Sequence, residues 1–157
     1  MQIFEARSGE SVEAVRWLFY EYASALDFDL EFQHFDDEMK TFPAQYSSPT
    51  GCLLVAYVEA EAVGCVGLRK YEKMVCEMKR LYVRPEFRGL NIGKGLAVRI
   101  IEEAGRRGYS RMRLDTVPSM QAAIALYRKL GFKEIPQYRN NPIPGALFFE
   151  LQLTERR

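Results

Sequence analysis

Apolar side chains follow two repeats along this chain, one of period two and one of period three to four, separated by short polar or proline-rich intervals. Alternation over Met1–Ala6 predicts a first strand. Val12, Val15, Leu18, Phe19, Tyr22 and Leu26 lie along one face of a helix that Ser8 or Ser11 can cap, and a second helix is expected near Phe35–Phe42. Pro43 and then Ser47-Ser-Pro-Thr-Gly51 mark a loop. Cys52–Val58 and Ala62–Arg69 read as two strands joined by the turn Glu59-Ala-Glu61, a hairpin signal. A strand through Leu81–Val83 stops at Pro85, which has no N–H to give a ladder. Leu96, Ala97, Ile100, Ile101 and Ala104 then repeat at helical spacing up to a C-cap at Gly108. Arg111–Thr116 is a short strand, Pro118-Ser119 opens a helix that ends at Gly131, and Phe132–Ile135 begins another strand. Residues 138–145 form a loop before Ala146–Leu153 alternates into the last strand, so the predicted order is β-α-α-β-β-β-α-β-α-β-β.

The chemistry concentrates between Glu77 and Gly95, where a strand runs into a basic, glycine-rich turn and then into the first turn of a helix. A helix start carries unpaired N–H groups and a partial positive charge, which attract phosphate oxygens. Gly89 and Gly93 let the backbone approach an anion closely, and Arg88 and Lys94 add full charges at the same point. The stretch reads as an anion site suited to a pyrophosphate. It is not a nucleotide-triphosphate P-loop, because Gly95 stands where that motif needs a hydroxyl residue after Gly93-Lys94.

Arg88-Gly89-Leu90-Asn91-Ile92-Gly93 resembles the Arg/Gln-x-x-Gly-x-Gly/Ala segment of the GNAT superfamily of acetyl-CoA-dependent N-acetyltransferases, with Asn91 where the first glycine is usual. Asn is the non-glycine residue that best tolerates a left-handed backbone. Ala123-Ile-Ala-Leu-Tyr-Arg-Lys-Leu-Gly-Phe132 resembles a second segment of the same family, and the likeness covers nearly the whole chain, weakest before residue 50. The resemblance implies an α/β (α+β) protein of GNAT-type fold, a single domain over residues 1–157. Its mixed, mostly antiparallel central sheet would have six to seven strands flanked by about four helices.

The resemblance also implies acetyl-CoA (CoA) as cofactor and assigns roles. Backbone N–H groups of Arg88, Gly89, Leu90, Asn91, Ile92, Gly93, Lys94 and Gly95 would hold the pyrophosphate. The strand edge at Leu81, Tyr82 and Val83 would pair with the pantetheine arm and turn an N–H toward the thioester oxygen, a suitable oxyanion donor. Met120 stands where the family often has a cofactor-contacting asparagine, which leaves that contact to Ser119. Glu77, six positions before Val83, is the expected general base. Alternation puts it on the face of Val75, Leu81 and Val83, where partial burial would raise its pKa. A glutamate paired with Lys79 is the other reading. Tyr127 matches the tyrosine that protonates the leaving thiolate in many members, against packing with Ala123 and Leu130 on its helix face.

On this reading the chain is an enzyme moving an acetyl group from acetyl-CoA to a primary amine of a small molecule or amino acid, by direct attack in a ternary complex. A non-catalytic acyl-CoA-binding sensor or interaction module is the alternative. The acceptor pocket is expected from the first two helices and the 138–145 loop, with Tyr22, Tyr138, Arg139 and Asn141 as candidate lining. Asp27, Asp29, Glu31, Asp36 and Asp37 would favour a cationic amine there, unless they form a solvated loop.

Bulk properties narrow this only slightly. A length of 157 residues can bury a substantial core, and a formal net charge of +1 gives no reason to expect nucleic acid or a membrane surface as partner. The basic pairs Arg106-Arg107 and Arg156-Arg157 read as solvated ends. Cys52, Cys65 and Cys76 sit in apolar runs without a disulfide framework, so free thiols and a cytoplasmic location are expected. No metal-ligand spacing is evident, and His34, the only histidine, reads as a surface or packing residue. Dimers are common in the resembling family, and a homodimer is open on that ground alone.

Overall fold

The computed structural model describes residues 1–153, apart from the side chains of Phe32 and Gln33, so Arg156-Arg157 lies outside the described residues. Among the described residues, seven strands form one sheet: β1 (Gln2–Glu5), β2 (Cys52–Val58), β3 (Glu61–Glu72), β4 (Val75–Val83), β5 (Arg111–Thr116), β6 (Lys133–Ile135) and β7 (Leu147–Gln152). Their spatial order is β1-β2-β3-β4-β5-β7-β6, and β4 with β5 is the one parallel pair. Four α-helices, α1 (Gly9–Ala25), α2 (Phe35–Thr41), α3 (Ile92–Arg106) and α4 (Gln121–Lys129), flank it, which is the expected order and class. Among the described residues, no helix is long and apolar enough to cross a membrane.

Local signals account for the element ends. Ser8 caps α1 and exchanges hydrogen bonds with Ser11 three positions on, so the two candidate caps work as one reciprocal box. The hairpins turn at Glu59 and Met74, both in the left-handed region, and Gly108 ends the α3 connection at φ +88°. The sheet buries both faces. On one, Leu96, Ala97, Ile100 and Ala104 of α3 pack on Leu54, Val66, Leu68 and Met112. On the other, Val15, Leu18 and Phe19 of α1 join Leu53, Val55, Cys65 and Tyr46. Each fully buried aliphatic or aromatic side chain contributes about 1.5–3 kcal/mol, so the two layers hold the helices firmly.

Two irregularities of β4 position the site. Its pairing with β5 covers only Val75–Glu77 against Arg111–Arg113, after which the strands diverge while β5 continues along β7 to Thr116. From Lys79 to Val83, the edge of β4 that faces β5 has no strand partner among the described residues. The second irregularity is a bulge: Cys65 pairs with Tyr82 but Gly67 with Lys79, so β4 holds one extra residue, and Arg80 takes φ +61°. The extra residue reverses the alternation. Glu77, Lys79 and Tyr82 face α1 and α2, while Leu81 and Val83 face α3. This corrects the expectation that Glu77 shares a face with Leu81 and Val83. Arg80 reaches from the bulge to Glu38 of α2 at 3.0 Å, and Tyr46 donates to the same carboxylate at 2.9 Å. Both side chains of the pair are buried, so the bulge is tied to α2 by an ion pair that cannot be broken cheaply.

Candidate active site

The divergence of β4 from β5 opens a cleft of about 710 Å³. Its floor is Leu81, Tyr82 and Val83, one wall is Arg88, Gly89 and Asn91 to Lys94 at the start of α3, and the opposite wall comes from Ser119 and Met120 before α4 and from Ala123 and Leu126 within it. The first backbone hydrogen bond of α3 runs from the Gly95 N–H to the Asn91 carbonyl at 3.0 Å. Among the described residues, the N–H groups of Ile92, Gly93 and Lys94 therefore have no backbone acceptor and remain available to an anion. A Cβ on Gly93 would touch nothing closer than Val83 Cγ2 at 3.7 Å, so the glycine keeps the cradle open rather than relieving a clash. Arg88 donates from Nε to the Val83 carbonyl at 3.0 Å and ties the turn to the strand end. These groups fit a pyrophosphate.

Asn91 sits at φ +63° as the N-cap of α3, with Gly89 at φ +86° before it. The left-handed turn therefore forms without the usual family glycine. Asn91→Gly is expected to keep acetyl-CoA affinity. Asn91→Val puts a β-branched side chain where it is strained by about 1–2 kcal/mol and should weaken binding roughly tenfold. Equal affinity of the valine variant by calorimetric titration would show that this turn does not shape the cradle.

Most of the sequence-identified cofactor residues meet at this cleft: Leu81, Tyr82, Val83, Arg88, Gly89, Asn91, Ile92, Gly93, Lys94 and Ser119. Leu90 and Gly95 do not. Leu90 points to solvent, and a Cβ on Gly95 would lie 2.9 Å from Ile3 Cδ1 of β1, so Gly95 serves helix–sheet packing. The sequence reading missed Phe87, Ala123 and Leu126, and read Met120 only as a missing contact. The spacing Met120, Ala123, Leu126 was the available signal, a helix face that looks like core until the strands part beneath it.

Tyr127 lies one position past that face. Its ring packs against Phe132 and Phe149 at 5.7 and 6.3 Å between centroids. Burial raises its hydroxyl pKa, with Tyr22 and Asp115 acting in the same direction, so the proton stays on the oxygen at neutral pH. Both of those neighbours border the fork, which puts Tyr127 beneath the cleft rather than along its lining.

Glu77 departs further from expectation. Its carboxylate accepts from Arg69 Nε at 3.1 Å, from Arg139 Nη1 at 2.7 and 2.6 Å, and from the Tyr138 hydroxyl at 2.7 Å. Burial alone would raise its pKa, but Lys79, Arg139 and Arg69 together hold it down to about 2. The expected raised pKa is therefore corrected to a lowered one. Glu77 lies outside the cleft lining and clamps the 138–145 loop to the sheet. Tyr138 and Arg139, expected in the acceptor pocket, are engaged in the same clamp.

A second, small cavity of about 20 Å³ adjoins the fork, sharing Tyr22 and Met120 with the cleft and lined by Asp115, Thr116 and Asn141. Asp115 accepts from Asn141 Nδ2 at 2.9 Å and faces the Lys79 ammonium at 3.9 Å across the parting strands. Burial, with Arg80 adding to it, pushes Lys79 down to about 7 despite the opposing pull of Asp115 and Glu77. The structure also gathers Glu5, Cys52 and Glu103, whose ligand atoms lie within 4.8 Å of one another. Arg107 pairs with both carboxylates, so that cluster is an ion-pair network joining α3 to β1.

Comparison with known proteins agrees with this geometry. The sequence profile of the acetyltransferase (GNAT) family matches residues 12–132. An uncharacterized N-acetyltransferase of Schizosaccharomyces pombe is 39% identical over 148 residues, covering 93% of this chain and 91% of that protein. An N-acetylaspartate synthetase of Danio rerio is 33% identical over 129 residues, covering 76% of this chain but only 46% of its own length. The crystal structure of PaiA N-acetyltransferase from Thermoplasma acidophilum, in complex with coenzyme A, superposes with a TM-score of 0.73. That likeness covers 97% of this chain and 99% of the other, and at 19% identity it speaks for the fold alone. A profile that spans the fork, the helix-start cradle and both flanking helices makes this chain a member of the acetyltransferase (GNAT) family.

Proposed function

We propose that the protein transfers the acetyl group of acetyl-CoA to the primary amine of a small molecule, an amino acid being the favoured class, by direct attack in a ternary complex. Acetyl-CoA supplies an activated acetyl thioester. The observation that carries the reading is the fork: an unpaired strand edge between an anion cradle on one side and a polar cavity on the other. The chain orients the donor through Leu81–Val83 and the N–H groups of Ile92, Gly93 and Lys94. On the α1 side, Tyr22 and Asp27 border the space an amine would enter, and the Asp27 carboxylate favours a cationic approach. Tyr127 holds a proton at its hydroxyl for the departing thiolate. The similarity to N-acetylaspartate synthetase supports an amino acid as acceptor.

The deciding experiment is calorimetric titration with acetyl-CoA against CoA and ATP, followed by thiol release with a panel of amines that includes L-aspartate. Binding of acetyl-CoA but not ATP, with thiol release for at least one amine, is the expected result. Tight binding with no release across the panel would instead favour a non-catalytic acyl-CoA sensor, and no binding would end both readings.

A further inference from the structure

An ammonium group cannot attack a carbonyl carbon until it has lost a proton, and at neutral pH most alkyl amines still carry it. The glutamate best placed by sequence for this task is committed elsewhere, since Glu77 already accepts from two arginines and a tyrosine. We propose that the Lys79–Asp115 pair, reached through the polar cavity of Asp115, Thr116 and Asn141, takes the proton that the acceptor amine loses before attack. This rests on the amine reading above.

Three observations converge on that pair. It stands at the point where β4 and β5 part, two residues beyond their last paired residues, Glu77 and Arg113. The cavity of about 20 Å³ beside Asp115 has the size of one water, since roughly 10–15 Å³ is enough to hold one. It is also polar, and the buried Thr116 Oγ1 has no hydrogen-bond partner among the described residues. A hydroxyl that must be satisfied, an Asn141 side chain and a carboxylate give a water three partners there. The step balances simply. An N–H bond of the ammonium breaks, its electron pair stays on nitrogen, and the proton passes through the water to the pair, which holds it as protonated Lys79 beside ionised Asp115.

The groups around the pair tune it from every packed element. Asp115 and Glu77 favour the charged lysine, whereas Arg80 and Arg69 oppose it. Glu38 of α2 offsets Arg80, Asp115 helps to raise the Arg139 guanidinium of the 138–145 loop, and Tyr22 of α1 borders the cavity. Burial keeps the ammonium near neutrality, so the pair can accept a proton under working conditions and release it again.

The test uses the full chain with 13C-labelled lysine, following the Lys79 Cε signal between about pH 5 and 9 with acetyl-CoA present. The signal is identified by its loss in Lys79→Gln. Lys79 is expected to titrate near neutrality. Asp115→Asn should move that midpoint to lower pH by about one unit, because an anion that favours the charged form is gone. The acid limb of thiol release, with the amine that gives release in the panel, should move by the same interval. Thr116→Val removes one partner of the water and should slow thiol release about tenfold, with acetyl-CoA affinity and melting temperature unchanged. A Lys79 that stays charged throughout overturns the proposal whatever the turnover. So does an acid limb that stays in place when the Asp115→Asn midpoint moves, or a Thr116→Val variant with wild-type rate. Absence of thiol release with every amine would remove the underlying reading, and the lysine titration would still report the state of the pair separately.

Discussion

Glu77→Ala is expected to lower unfolding free energy by about 3–5 kcal/mol, the range for removing one partner of a buried ion pair. The glutamate side chain is 1% exposed, and truncation would leave Arg69, Arg139 and the Tyr138 hydroxyl facing each other without their acceptor. The loss should appear as a lower urea midpoint. The same clamp makes a pH prediction. Glu77 titrates at about 2 in the folded chain against an ordinary value of 4.5, so its contribution is fully present above the ordinary value. It is lost as pH falls through about 2, and the difference corresponds to about 3 kcal/mol. An alanine variant with wild-type stability but no acid limb in its rate profile would return Glu77 to the role of base.

On the proposed reading, in which the Tyr127 hydroxyl serves the departing thiolate and not the bound phosphates, Tyr127→Phe should reduce kcat by about a hundredfold while acetyl-CoA affinity stays within about twofold. Stability should change little. The ring keeps its contacts with Phe132 and Phe149, and only a hydroxyl beneath the cleft is removed. Thiol-release kinetics against calorimetric affinity separates the two quantities. An unchanged kcat would leave Tyr127 as a packing residue of α4.

How much of this was legible in the chain differs from residue to residue. The period of the apolar positions was enough for the element order, because burial of one helix stripe or one strand face is a local property. Arg88 to Gly93 announced an anion cradle for the same reason: a glycine-rich turn before a helix start carries its chemistry in consecutive backbone groups. The left-handed Asn91 was legible too, as the one departure the turn could accept. Glu77 was not. Its reading depended on strict alternation along β4, and one extra residue at Arg80 moved it to the opposite face from Leu81 and Val83. A bulge is chosen by what lies across the sheet, here Glu38 and Tyr46 from 42 and 34 positions earlier in the chain, so no window around Arg80 reveals it.

The sequence by itself determined the family, the anion cradle and the positions of Glu77 and Tyr127 along their elements. Only the tertiary structure decided which charges meet. Lys79 and Asp115 are 36 positions apart, and nothing in the sequence pairs them, yet the fork brings them together out of water. Arg139, from a loop with no periodic signal, pairs with Glu77 and helps to hold its pKa down. The physical reason is that hydrophobic periodicity is written in neighbouring residues, whereas the pKa of a buried group is the sum of burial and of charges delivered by remote segments.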